Sequence, residues 1–374
     1  MDFTRDQEIA STSMGRPHVV LVGAGASRAA LPNGDANGKS LPLMNDLIEL
    51  LNLQDLLDKT NISYSARNFE DVYAEIHTID SLAPIRHELE TRIYDYFDNL
   101  VLPLQPTIYD YLVLSLRDKD LIATFNWDPF LVQAIRRNRS VGSLPNLLFL
   151  HGNVKAACCI NDKVLGLKGN RCSKCEQPLK PTRLLYPVTE KNYESDPMLS
   201  AQWKDMRSYM ADAFMFTVLG YSAPKSDVSA INLLKKGWGS PNQRVMEDTE
   251  IIDIKSEDDL TSVWDSFIHS HHYSVCSDYF ESSLARHPRR TGEALHMAQI
   301  INENIDQFME EKLEQIKRLI EEDKPDSAFV AMLRLTSFLN AGAAKLPSII
   351  SRLEKWINKI KSVLNSLALS LIHI

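Results

Sequence analysis

The sequence predicts an α/β fold: a doubly wound parallel sheet with a helical insertion lobe, a cysteine-containing loop and a C-terminal α-helical tail. Three observations carry this. Five short apolar runs are continuous rather than alternating, as strands covered on both faces require. Each is separated from the next by enough chain for a crossover. Past about residue 285 the pattern changes to helical spacing alone. The chain has 374 residues, 44% of them hydrophobic, enough for a substantial core and for two or three domains, or one large domain with an insertion.

Taken in order, residues 1–17 read as a tail and 18–285 as the main domain, with strands expected at 19–22, 121–125, 147–150, 214–219 and 250–254. Between the first two strands, about 41–119, helical spacing in LPLMNDLIELLNLQDLLD, NFEDVYAEIHTI and PIRHELETRIYDYFDNLVL predicts a small lobe too long for a simple crossover. The cysteine loop spans about 154–182. In the region 286–368, Phe308, Leu313, Ile316 and Ile320 share one helical face, and Ile349, Ile350, Leu353, Trp356, Ile357, Ile360, Val363, Leu364 and Leu367 share another. They predict a separate hairpin-like tail, a packing module or a surface for a homo-oligomer or partner protein. The last six residues, LSLIHI at 369–374, read as a non-native scar encoded by a sequencing adapter, so the natural gene is expected to continue.

A net charge of −8 argues against a surface that wraps phosphate backbone, and nucleic acid is not expected as a partner. The opening MDFTRDQEIASTSMG lacks the apolar core of a signal peptide, and no run reaches the roughly 18 apolar residues of a membrane span. A cytoplasmic protein with no membrane partner is expected. Four of the five cysteines, Cys158, Cys159, Cys172 and Cys175, fall within eighteen residues, which in a reducing compartment suggests metal before disulfide. Cys172-Ser173-Lys174-Cys175 is a metal knuckle, and with Cys158 and Cys159 it makes a candidate structural Zn2+ site. Because two adjacent ligands are awkward, a three-cysteine site or a ribbon without metal is the alternative.

Ligands of open α/β sheets bind at the carboxyl ends of the strands. The first strand ends in Gly23-Ala24-Gly25-Ala26-Ser27, where glycines let backbone approach a pyrophosphate; Arg28 stands where a third glycine would complete the dinucleotide fingerprint. The second ends in Asn126-Trp127-Asp128, which could equally cap the following helix. The third ends in His151-Gly152-Asn153, whose histidine could be a packed imidazole at a turn. The fourth and fifth give Gly220-Tyr221-Ser222 and Asp253-Ile254-Lys255.

This ordered set, GAGAS with Pro32, ATFNWD, FLHGN, CC with CSKC, and LGYS, resembles the sirtuin superfamily over about residues 18–270. The resemblance implies a Rossmann-like, DHS-like NAD/FAD-binding sheet with NAD+ as ligand. Two features depart from the protein-deacylating members: LPNGDANGKSLPLMNDLIELL replaces an Asp-Phe-Arg segment, and Cys158 and Cys159 are adjacent. Both, with NFEDVYAEI and RLLYPVTEKNY, look like the sirtuin-like NAD-cleaving domains of bacterial anti-phage defence proteins. That likeness implies an NAD+ glycohydrolase, with NAD+ as substrate, that releases nicotinamide and ADP-ribose and depletes the cofactor in defence. Under it Asn126, His151 and Asp128 are catalytic, Asp128 orienting the site or offsetting the ribose charge. Gly23, Ala24, Gly25, Ala26 and Ser27 grip the pyrophosphate, Gly220, Ser222 and Asp227 make adenosine-side contacts, and Asp253 meets an adenosine-ribose hydroxyl. The alternatives are an NAD-dependent protein deacylase and a non-catalytic module that senses NAD+ or ADP-ribose.

Overall fold

The structure, a computed structural model, describes residues 15–188, 193, 196–223, 227–240, 244, 246–268, 272–290, 305–322, 324–343, 354–360 and 362. The expected scar at 369–374, most of the tail's second apolar face and part of RLLYPVTEKNY lie outside the described residues.

Six parallel strands form the main sheet in the order β3-β2-β1-β7-β8-β9. They are β1 (His18–Val22), β2 (Leu121–Thr124), β3 (Asn146–Phe149), β7 (Met215–Leu219), β8 (Asp248–Ile252) and β9 (Tyr273–Cys276). The doubly wound fold expected from the sequence is the one observed. Every residue of β1 is buried, and its alternation divides the core: Val20 and Val22 face the helical lobe, Val19 and Leu21 the opposite helical layer. From β1 the chain builds outward through β2 and β3, then returns to place β7 on the other side of β1. The sheet therefore reverses direction between β1 and β7, and a crevice outside the carboxyl ends of these two strands is where such sheets take ligands.

The helices that matter below are α1 (Ala24–Ala30), α2 (Phe69–His77), α3 (Ala83–Asp98), α4 (Ile108–Ser115), α5 (Phe130–Asn138), α6 (Pro197–Asp212), α7 (Val228–Trp238), α8 (Glu257–Trp264), α9 (Ile305–Glu321) and α10 (Pro325–Ala343). Their starts follow local chemistry: the Asn68 side chain accepts from the Asp71 N–H at α2, Thr107 and Asp110 form a capping box at α4, and Asp196 accepts from two N–H groups at α6. In the lobe, the first apolar stretch is not one helix. It breaks into the turns Leu47–Leu50 and Gln54–Leu57, with Asn52 between them at a φ of 51°.

Three parts of the chain depart from the expectation. The edge strand β9 is not among the expected strands, because YSVC has no continuous apolar run and none of its four residues is buried. The cysteine loop is a small antiparallel sheet in the order β5-β4-β6, made of β4 (Ala156–Cys159), β5 (Val164–Leu167) and β6 (Lys180–Pro181). The C-terminal helices are not a detached hairpin: Met309, Leu313, Ile316, Leu335 and Trp356 share one apolar cluster with Phe214, Met215 and Met246, at the amino end of β7. Among the described residues no helix is long and apolar enough to cross a membrane.

Candidate active site and cysteine ribbon

The ends of β1 and β7 touch. Gly220, with a φ of +60°, presses its backbone so close to α1 that a Cβ there would stand 2.2 Å from the Ala26 nitrogen; one on Gly23 would stand 2.5 Å from the Gly220 oxygen. The glycines are thus explained by backbone-on-backbone packing. The Gly23 N–H donates to the Leu219 carbonyl at 3.0 Å and the Gly25 N–H to that of Gly220 at 2.9 Å, while Ala26 donates to Gly23. The N–H groups of Gly23 and Gly25 are thus engaged by the backbone at the end of β7. Ala24 is exposed and Gly25 half-buried, so the outer face of the loop is what solvent reaches.

Beneath the loop lies a polar cluster that joins four elements. Ser27 donates to Asp128 Oδ2 at 2.6 Å and contacts the Tyr109 hydroxyl of α4 at 2.6 Å, and Asn126 Nδ2 donates to Ser27 Oγ at 2.9 Å. A hydroxyl has one proton and two lone pairs. With its proton on Asp128, Ser27 must accept from both Asn126 and Tyr109, and its capacity is full. Ser27, expected as a donor to phosphate, is engaged within this cluster. Asn126 Nδ2 also donates to the Gly23 carbonyl at 2.9 Å, which directs its amide hydrogens inward; no described residue donates to its side-chain oxygen. Asp128 Oδ1 accepts from the Phe130 N–H at 3.2 Å, so capping and site building share one carboxylate. Burial pushes the Asp128 carboxyl up to about 6, and burial with the Asp128 charge beside it holds the Tyr109 phenol well above its usual range. Asn153 ties the ends of β2 and β3 together, donating to the carbonyls of Asp128 at 2.7 Å and Asn126 at 3.3 Å.

His151 directly follows Leu150 at the end of β3, in a bed of rings. Phe125 lies 4.5 Å away centroid to centroid, and Tyr193 stacks at 5.8 Å with its hydroxyl 3.0 Å from Nε2. Gly152 needs its φ of +76° to pass the Arg183 carbonyl, and Leu185 donates its N–H to the His151 carbonyl. Residues following Arg183 thus strap across the site, where Tyr186 packs on Trp127 at 5.0 Å and on Tyr73 of α2 at 5.1 Å. Asp227, expected on the adenosine side, lies with Oδ1 3.9 Å from His151 Nε2. Ser222 is exposed just past the glycine crossing, and half-buried Asp253 caps its own turn by accepting from Lys255. Sequence reasoning missed Tyr109, Tyr193 and Tyr221: Tyr109 lies within an apolar helix face and reads as core, although it supplies a hydroxyl to the cluster.

In the ribbon, Cys159, Cys172, Cys175 and Asp162 bring their ligand atoms within 4.8 Å of one another and could hold a metal ion. The Cys159 and Cys175 sulfurs are 3.7 Å apart, and Asp162 Oδ2 is 3.2 Å from the sulfurs of both Cys159 and Cys172. A tetrahedral Zn2+ with Zn–S bonds of about 2.3 Å requires thiolate spacings of roughly 3.8 Å, so the donor set fits zinc. Cys158 is the correction. Adjacent residues of a strand face opposite sides, so Cys159 turns to the knuckle and Cys158 into the interior, where burial pushes its thiol up. Asp162, three residues on, offers the fourth ligand atom. Zn2+ held by these four protein ligands would have no open coordination and would be structural.

No protein-family model and no curated protein matches the chain. Among solved structures, it is similar to a Sir2 homologue mutant in complex with ADP-ribose, at 16% identity and a TM-score of 0.40, over 77% of this chain and 97% of that one. It is also similar to a Sir2 homologue in complex with NAD, at 17% identity and a TM-score of 0.34, over 77% of this chain and 94% of that one. A structure described as the basis for the mechanism and regulation of Sir2 enzymes aligns at 16% identity and a TM-score of 0.37, over 76% of this chain and 97% of that one. What the site can do follows from its own geometry.

Proposed function

We propose that the chain is an NAD+ glycohydrolase that cleaves the nicotinamide–ribose bond to give nicotinamide and ADP-ribose. The observation that carries this reading is an uncharged amide and an imidazole, Asn126 and His151, just past the ends of the neighbouring strands β2 and β3 beside the sheet's reversal point. The bond asks little of a nucleophile, since its electron pair leaves with a cationic ring and the ribose becomes oxocarbenium-like. The site must hold the ribose, exclude bulk water and admit one molecule of it. The Asn126 oxygen accepts from a ribose hydroxyl or from that water. His151 takes the proton as the water oxygen bonds to the ribose carbon, and the nicotinamide nitrogen keeps the pair from the broken bond. The buried Asp128 offers negative charge near the developing cation once ionised. With the Gly23 and Gly25 N–H groups directed to β7, the exposed face at Ala24 and Ser222 is where the phosphates would lie.

The NAD-depleting role in defence is the one the motif resemblance suggests for this activity. Asn126→Ala and His151→Ala test the assignment: each is expected to lower nicotinamide release about a hundredfold or more while the chain stays folded at the assay temperature. Full turnover by both variants removes both residues from the mechanism.

A further inference from the structure

We propose that Asp227 is a positioning residue for His151, a buried carboxylate that stabilises the imidazole ring once it has taken up a proton. The inference rests on the reading of His151 as the base above. Asp227 stands at the N-cap of α7, where an aspartate ordinarily accepts from the first helical N–H groups. Its side chain makes no such bond. It turns inward instead, only 3% exposed, accepting the Tyr221 hydroxyl on Oδ2 at 2.7 Å and facing His151 Nε2 with Oδ1 at 3.9 Å. A carboxylate buried this close to an imidazole favours the ring's charged form.

The surroundings fit that purpose. Phe125 lies against the imidazole and also stacks on Tyr221 at 4.5 Å, so one ring sets the spacing of base and acid. Among the described residues, the groups that face the pair include the Tyr193 hydroxyl on Nε2, the Tyr221 hydroxyl on Asp227 and, further off, Glu70 of α2, whose charge reaches Tyr221. Burial and the Asp227 charge hold the Tyr221 phenol well above its usual range, so it remains a donor. In the proposed cleavage a proton passes from water to the imidazole, whose Nε2 faces Tyr193 and Asp227, while the oxygen bonds to the ribose carbon; Asp227 neither gains nor loses a proton. Its part is to lower the energy of the imidazolium–carboxylate pair that results.

The experiment follows the His151 ring directly by 15N NMR of the full chain without NAD+, its signals identified by their loss in His151→Gln, alongside the pH profile of nicotinamide release. Asp227→Asn should move the ring's titration midpoint about one unit toward acid and carry the acid limb of kcat/KM with it, with KM little changed. Tyr221→Phe keeps the packing on Phe125 but leaves the carboxylate one donor fewer, so it should move the midpoint the other way. Titrations that coincide in the parent and both variants overturn the proposal whatever the activity. Shifted titrations in a chain whose parent releases no nicotinamide leave the Asp227–His151 interaction standing and remove the glycohydrolase reading.

Discussion

Asp128 has the sharpest consequence of any single residue. Its folded-state pKa is raised from 3.8 to about 6 by burial, so the folded chain holds this proton more tightly than the unfolded chain does. The sign is therefore opposite to that of a salt-bridged acid: the stabilising contribution is present below about pH 4 and disappears as pH rises through about 6. Asp128→Asn should flatten this pH dependence and raise stability at pH 7 by up to about 3 kcal/mol, measured by urea unfolding at several pH values. A variant with the parent's pH dependence would contradict the assignment of that titration to Asp128. Asn126 and His151 were legible in the sequence because a short apolar run announces where a strand stops, and the residue after it stands at the ligand edge. The role of Ser27 was not legible. Its partner Tyr109 lies 82 residues away, and local motif reading cannot see that the hydroxyl is already saturated.

The contact between α1 and the end of β7 and the cysteine ribbon yield the predictions at the level of elements. Gly220→Ala places a methyl group against the Ala26 backbone at a left-handed φ, and should cost about 2 kcal/mol or more, read as a fall in the urea midpoint with little change in its slope. In the ribbon, the purified chain should carry about one equivalent of zinc. Cys159→Ser and Asp162→Ala should lower it, while Cys158→Ser should leave it unchanged; zinc lost equally from Cys158→Ser and Cys159→Ser would contradict the assigned ligand set. The sequence marked this metal site but not its fourth ligand, because adjacency in the chain hides the alternation of a strand. The edge strand β9 escaped for a different reason: none of its four residues is buried, and YSVC has no apolar run to mark it.

At the scale of the whole molecule, the C-terminal helices are tied to the sheet at the end opposite the site. Buried Glu247, just before β8, meets Arg16 at 2.5 Å, Arg334 of α10 at 3.2 Å and Arg244 at 3.9 Å. Burial alone would raise its pKa, yet the three guanidiniums together hold the carboxyl below its usual range. A lowered folded-state pKa means stability that is present above the unfolded value of 4.5 and is lost as pH falls through the folded one. Glu247→Ala leaves three arginines without their shared carboxylate and should cost about 3 kcal/mol, with hydrogen exchange rising first in α9 and α10. Unchanged protection there would contradict the tie. Helical periodicity revealed these helices but not their docking, because an apolar stripe does not say which surface covers it. The central claim, that NAD+ is cut rather than merely bound, is tested most directly by chromatography of the full chain incubated with NAD+ and no acyl donor. Equal amounts of free nicotinamide and ADP-ribose, lost in Asn126→Ala, are expected. Intact NAD+, or cleavage only when an acylated peptide is added with O-acyl-ADP-ribose as product, would contradict it.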